Sequence, residues 1–294
     1  MRFRTEYKPS KADLILSPGK PVVLAGSCFS QNMASKMRDH LWTAVNPMGT
    51  LYNPYSICRA IKMMMSSDKG VSEFEGSLFL WNGVWNSHFF DSSFSFTSRE
   101  DCISEFKLRQ QEFLKSISEG NTLIVTFGTA ICYCHVKEDI LVGNCHKLPS
   151  QFFIRKRLSV EDISILWGDM IKALQEEYPD IKIIFTVSPV RHLKDGFSGN
   201  ACSKAILMLA VEEICNGHKC CSYFPAYEIL NDDLRDYRFY ASDLVHPSEE
   251  GIEYIWEIFQ STYLNEEGEK LLKEGERKVK ASRHRPIIRK GQHP

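Results

Sequence analysis

Pro21-Val22-Val23-Leu24-Ala25-Gly26-Ser27-Cys28-Phe29-Ser30 is an apolar run that ends in Gly-Ser. Continuous apolar residues without polar alternation are the pattern of a strand buried on both faces. Gln31 to Leu41, which follow, carry helical periodicity. A strand turning directly into a helix is the repeating unit of an α/β protein. Such a turn can present a side chain beside the free N–H groups of the helix start. Ser27 is the hydroxyl this turn offers for chemistry. Gly-Ser is also ordinary turn and cap composition.

Similar apolar runs lie at Thr122 to Phe127, at Ile181 to Val187 and, shorter, near Cys220 to Phe224. Helical periodicity lies between them, at Tyr55 to Met65, Arg99 to Ser118, Val160 to Glu177 and Asn200 to Cys215. A last helix runs from Pro247 or Ser248 to about Tyr263. This alternation predicts a doubly wound, mostly parallel sheet. Two regions break it. Residues 74–97 are rich in aromatics, and Asn82-Gly83 is a hairpin signal. They predict a small antiparallel insertion serving as a lid or rim. Within it Trp81 and Trp85 could share a face and stack on a sugar ring, or fill a small core; His88 reads as a packed histidine. Residues 132–154 predict a second hairpin with Lys137-Glu138-Asp139 as its turn. From Asn265 the chain becomes densely charged, which predicts one domain over 1–264 and a charged extension over 265–294.

The chain has 294 residues, 43% hydrophobic and 25% charged, with a net charge of -1. That length can bury a sizeable core, and the charge balance gives no field for nucleic acid or a membrane surface. No partner of either kind is expected. No apolar run reaches the ~20 residues of a membrane span. The polar start Met1-Arg2-Phe3-Arg4 lacks the apolar centre of a signal peptide. Together with ten cysteines this predicts reduced thiols in a cytoplasm. Cys132-x-Cys134 and Cys220-Cys221 are spaced too closely for a zinc site, so they are read as buried small hydrophobes and no metal is expected.

Acyl transfer needs a nucleophile, a base and oxyanion donors. The base is offered by Ser242-Asp243-Leu244-Val245-His246-Pro247. An Asp three residues before a His on a tight turn can accept from Nδ1–H and leave Nε2 facing a nucleophile. The same spacing also suits a capping turn with a packed histidine. Pro247 suits the first turn of the following helix. Arg191 and His192 follow the strand ending at Val187, on the edge where open sheets bind ligands. Cys28, beside Ser27, is a rival nucleophile; adjacent turn residues point apart, so one histidine serves only one of them.

Gly26-Ser27-Cys28-Phe29 resembles the signature of the GSCFA-domain proteins, with Ser30 where the family name has Ala. That group resembles a branch of the SGNH (GDSL-like) hydrolases. The likeness runs roughly from Phe3 to Phe259. It includes Asn46 to Pro54, Thr126 to Ala130, Gly143 to Pro149, Val187 to His192 and the unit Asp243 to Pro247. It implies a three-layer α/β/α flavodoxin-like sandwich and a serine hydrolase cleaving an ester, with no cofactor. It implies Ser27 as nucleophile and oxyanion donor, His246 as base, Asp243 as its partner, and Gly49 as a second oxyanion donor. The third SGNH block normally supplies an asparagine, and here Gly128-Thr129-Ala130 stands in its place. Thr129 and Asn144 are the candidates to replace that donor. His146, Arg191 and His192 are candidate substrate contacts. The expected substrate is a small-molecule or carbohydrate ester, an O-acetyl sugar by preference. The alternatives are an acyltransferase on the same residues and a non-catalytic binding protein on a degenerate hydrolase fold.

Overall fold

The computed structural model describes residues 4–16, 19–40 and 42–283. In chain order the elements are β1 (Val22–Gly26), α1 (Cys28–Asp39), β2 (Ala44–Val45), α2 (Pro54–Met65), α3 (Ser67–Gly76), β3 (Leu78–Trp81), β4 (Val84–Ser87), α4 (Arg99–Gly120) and β5 (Thr122–Phe127). Then come β6 (Ile131–His135), β7 (Ile140–Val142), β8 (Phe153–Arg157), α5 (Val160–Glu177), β9 (Lys182–Val187), α6 (Gly196–Gly217), β10 (Cys221–Phe224), α7 (Ala226–Glu228), α8 (Glu249–Tyr263) and α9 (Glu266–Arg283).

Five strands form one parallel sheet in the order β10-β9-β5-β1-β2. Read from the other edge, this is the flavodoxin-like order 2-1-3-4-5, with its switch point between β1 and β5. The apolar runs are continuous because successive side chains enter two different cores. Val23, Ala25, Leu123, Val125, Ile183 and Phe185 pack under α2, α4, α5 and α6. Val22, Leu24, Ile124 and Ile184 pack under α1 and α8 on the opposite face. The sheet is therefore the middle of three layers, as the alternation of strands and helices predicts.

The first helix begins at Cys28, three residues earlier than its periodicity suggests; Leu41 lies outside the described residues. Pro247 precedes the last predicted helix rather than starting it, because Ser248 is the cap and accepts the Gly251 N–H. Asn82 and Gly83, with φ of 49° and 77°, make the predicted β3–β4 turn. The second irregular region is larger than a hairpin: β6 pairs antiparallel with both β7 and β8. The charged extension forms α9, with Leu272 buried; residues 284–294 of it lie outside the described residues. Among the described residues no helix is long and apolar enough to cross a membrane.

Candidate active site

A cavity of about 570 Å³ lies beyond the carboxyl ends of the sheet strands. Its lining comes from the start of α1 (Cys28), the loop into α2 (Tyr52, Asn53), the loop after β5 (Thr129), the β6–β7–β8 sheet, and the segments 190–195 and 245–246. Cys28 and Thr129 follow β1 and β5, so the cavity opens at the switch point where such sheets bind ligands.

The turn after β1 divides two adjacent residues. Gly26 has φ of +135°, and a Cβ there would lie 2.2 Å from the Thr126 carbonyl oxygen, so only glycine lets β1 approach β5 so closely. Ser27 follows as the N-cap of α1. It is fully buried, its hydroxyl has no hydrogen-bond partner, and its N–H donates to Thr126 O at 3.3 Å. Ser27 is not part of the cavity wall; Cys28 is. Burial pushes the Cys28 thiol up, and Asp243 adds to this; the N–H groups of Phe29 and Cys28 and the ammonium of Lys204 act the other way. The first turn of α1 carries no acidic residue and no side-chain cap bond; the Ser30 N–H donates to Ser27 O at 2.8 Å, while the N–H groups of Cys28 and Phe29 face the Cys28 sulfur.

His246 shares the cavity wall with Cys28. Its Nδ1 lies 2.7 Å from Asp243 Oδ2, and its backbone N–H and that of Val245 donate to Asp243 Oδ1 at 3.0 and 2.9 Å. Leu244 takes φ of 59° to close this turn. The three hydrogen bonds hold the Asp243 carboxyl down to about 2, the backbone N–H groups contributing most. An ionised carboxylate at Nδ1 fixes the proton there and leaves Nε2 as an acceptor.

The loop Gly128-Thr129-Ala130 after β5 is tightly tied. Gly128 and Thr129 both donate their N–H to Tyr52 O, at 2.7 and 3.0 Å. Ser203 on α6 accepts the Ala130 N–H at 2.8 Å and lies 3.0 Å from Thr129 Oγ1, which also accepts the Ile131 N–H. With buried Ser203 donating its proton to Thr129, both oxygens are satisfied and the Thr129 proton is left for the cavity it lines. Asn144 also lines the cavity; its Oδ1 accepts the His146 N–H, so its amide nitrogen is the donor end.

Two candidates stand elsewhere. Gly49 is outside the cavity wall: its N–H closes a turn on Asn46 O, and a Cβ there would lie 2.6 Å from the Asp91 carboxylate. The Gly49 N–H is thus directed to its own turn, away from the cavity lining. His146 is half-buried with Nε2 at 2.7 and 3.0 Å from the carbonyls of Ser87 and Phe90, and burial lowers its pKa. It ties the loops carrying Ser87 and Phe90 to its own and is not part of the cavity lining. The aromatic insertion likewise buttresses the wall rather than covering it, since Gly143 N–H donates to His88 O and Trp81 and Trp85 stay outside the cavity. His88 packs against the Phe79 ring with centroids 4.3 Å apart.

Arg191 and His192 do line the cavity. Burial, helped by Lys204 and His246, lowers the His192 pKa to about 4, so its ring is neutral near pH 7. Tyr52 and Asn53, within the stretch Asn46 to Pro54, also line the cavity, and Lys204 lies beneath it with no role expected from the sequence. Lys204 is fully buried and donates to Gly128 O and Ser188 O at 2.7 and 2.6 Å, joining the ends of β5 and β9; burial lowers its pKa to about 7. The signal was present, because Lys204 sits on the stripe Asn200, Ser203, Leu207, Ala210, Val211 and Ile214 that α6 buries. Among the described residues no group of three or more His, Cys, Asp or Glu is placed to hold a metal, and all ten cysteines are free.

The sequence model of the GSCFA family matches residues 21–259. No curated protein matches the chain.

Proposed function

The chain belongs to the GSCFA family, and we propose that it is an acyl-transferring hydrolase, of the SGNH type of layout, whose nucleophile is the Cys28 thiol rather than the Ser27 hydroxyl. One observation carries this reading: Cys28 shares the cavity wall with a histidine oriented by a carboxylate, and Ser27 does not. In the proposed reaction His246 Nε2 takes the thiol proton as sulfur attacks the ester carbonyl carbon. The resulting imidazolium is held by the Asp243 carboxylate. The oxyanion meets the N–H at the start of α1 and the Thr129 hydroxyl, with the Asn144 amide also in the lining. Collapse breaks the carbon–oxygen bond, and the imidazolium proton leaves with the alcohol. Water then attacks the thioester, gives its proton to His246, and releases the acid and the free thiol.

The raised Cys28 pKa supports proton transfer in step with attack instead of a standing thiolate, which makes the base indispensable. Turnover of an activated ester by Cys28→Ala and Ser27→Ala variants tests the proposal. Cys28→Ala is expected to lower kcat by roughly a thousandfold or more, while Ser27→Ala keeps the same order of activity. Loss of activity in Ser27→Ala with Cys28→Ala unaffected would restore the serine mechanism.

A further inference from the structure

We infer that the substrate is an anionic ester, its acyl or alcohol part carrying a carboxylate or phosphate held by Arg191 and Lys194. This rests on Cys28 being the reacting group of the same cavity. The charged side chains of the lining are Arg155, Arg191, Lys194 and Asp195. Asp195, the only carboxylate among them, is engaged through both oxygens by Arg155. Asp243, behind His246, is engaged by that ring and two backbone N–H groups.

Arg191 and Lys194 are held differently. The Arg191 guanidinium lies 4.3 Å from the Tyr240 ring centre and 5.1 Å from that of Tyr237, and donates to the Tyr237 hydroxyl at 3.4 Å. Lys194 donates to the Tyr133 hydroxyl at 3.0 Å and lies 5.1 Å from that ring centre. Aromatic faces and phenols orient these cations without neutralising them. Neither has a carboxylate among its hydrogen-bond partners. The Arg191 N–H donates to Val245 O at 3.2 Å, which fixes this cation beside the His246 turn. Ile131, Val142, Val190 and Leu193 supply apolar wall for the body of the substrate. A guanidinium and an ammonium in one cavity with no hydrogen-bonded carboxylate, nearby Asp195 being engaged by Arg155, are the donor set for a carboxylate or phosphate.

Alkylation of Cys28 by iodoacetate and by iodoacetamide, followed peptide by peptide by mass spectrometry, tests the inference. The two reagents differ in charge and hardly in size. Wild-type Cys28 is expected to react faster with the anion, and added salt to erase the preference. Arg191→Met/Lys194→Met is expected to slow iodoacetate roughly tenfold and iodoacetamide far less. Lys194→Gln, which leaves the Tyr237–Arg191–Tyr240 stack intact, is expected to move the ratio in the same direction. A wild-type ratio no greater than one, or equal slowing of both reagents in the variants, overturns the anionic substrate and leaves the thiol mechanism standing. If Cys28 reacts with neither reagent, the thiol reading itself falls, and the anion inference with it.

Discussion

Ser27 and Cys28 are neighbours in the chain and have different surroundings: one is sealed between the sheet and α1, the other faces a cavity. The difference follows from the end of β1. Side chains alternate along a strand, but Gly26 at φ +135° breaks that alternation, and nothing in the composition says on which side of it the next residue emerges. The turn was therefore legible in the sequence, and which of its two side chains lines the cavity was not. Asp243-x-x-His246 was legible because its geometry is local, four residues closing on themselves. His192 carries a prediction of its own. Its pKa is lower folded, about 4, than unfolded, about 6.5, so the unfolded chain binds more protons between those values. Its contribution to stability is complete above about 6.5, declines as the pH falls, and is lost near 4, a total on the order of 3 kcal/mol. Chemical denaturation against pH should show this loss in wild type and a flatter curve in His192→Gln. Equal slopes would show that His192 does not titrate as described.

At the scale of elements, the strand runs and long helices could be read because their periodicity reflects the two cores that flank the sheet. β8 escaped notice because Phe153–Arg157 is mostly exposed and basic, so no apolar pattern marks it. It nevertheless completes the three-stranded wall of the cavity and supplies Arg155. The β1–β5 contact sets the position of everything after β1. Gly26→Ala would push a methyl group against the Thr126 carbonyl at a φ unsuited to alanine, costing on the order of 2–4 kcal/mol. The expected result in a thermal melt is a Tm lower by roughly 5–10 °C; an unchanged Tm would mean that the two strands do not meet so closely.

For the whole molecule, the strand order places the loops after β1 and β5 side by side, and α8 begins just past the turn that carries His246. Residues 28, 129, 192 and 246 thus meet at one sheet edge although more than two hundred positions separate the first from the last. Lys204 joins two of the contributing loops from beneath, through carbonyls that follow β5 and β9. Gly49 and His146 sit near the same edge in the chain pattern, but the Gly49 N–H closes a turn on Asn46 O and the His146 ring meets the distant carbonyls of Ser87 and Phe90. The proposed reaction places covalent chemistry on sulfur at the start of α1. Wild-type protein mixed with a p-nitrophenyl ester, quenched in acid and mapped by peptide mass spectrometry, tests it most directly. An acyl group on Cys28, removed by neutral hydroxylamine as a thioester and absent from His246→Ala under the same conditions, is the expected result. An acyl group on Ser27, or equal acylation of Cys28 with and without His246, would contradict it.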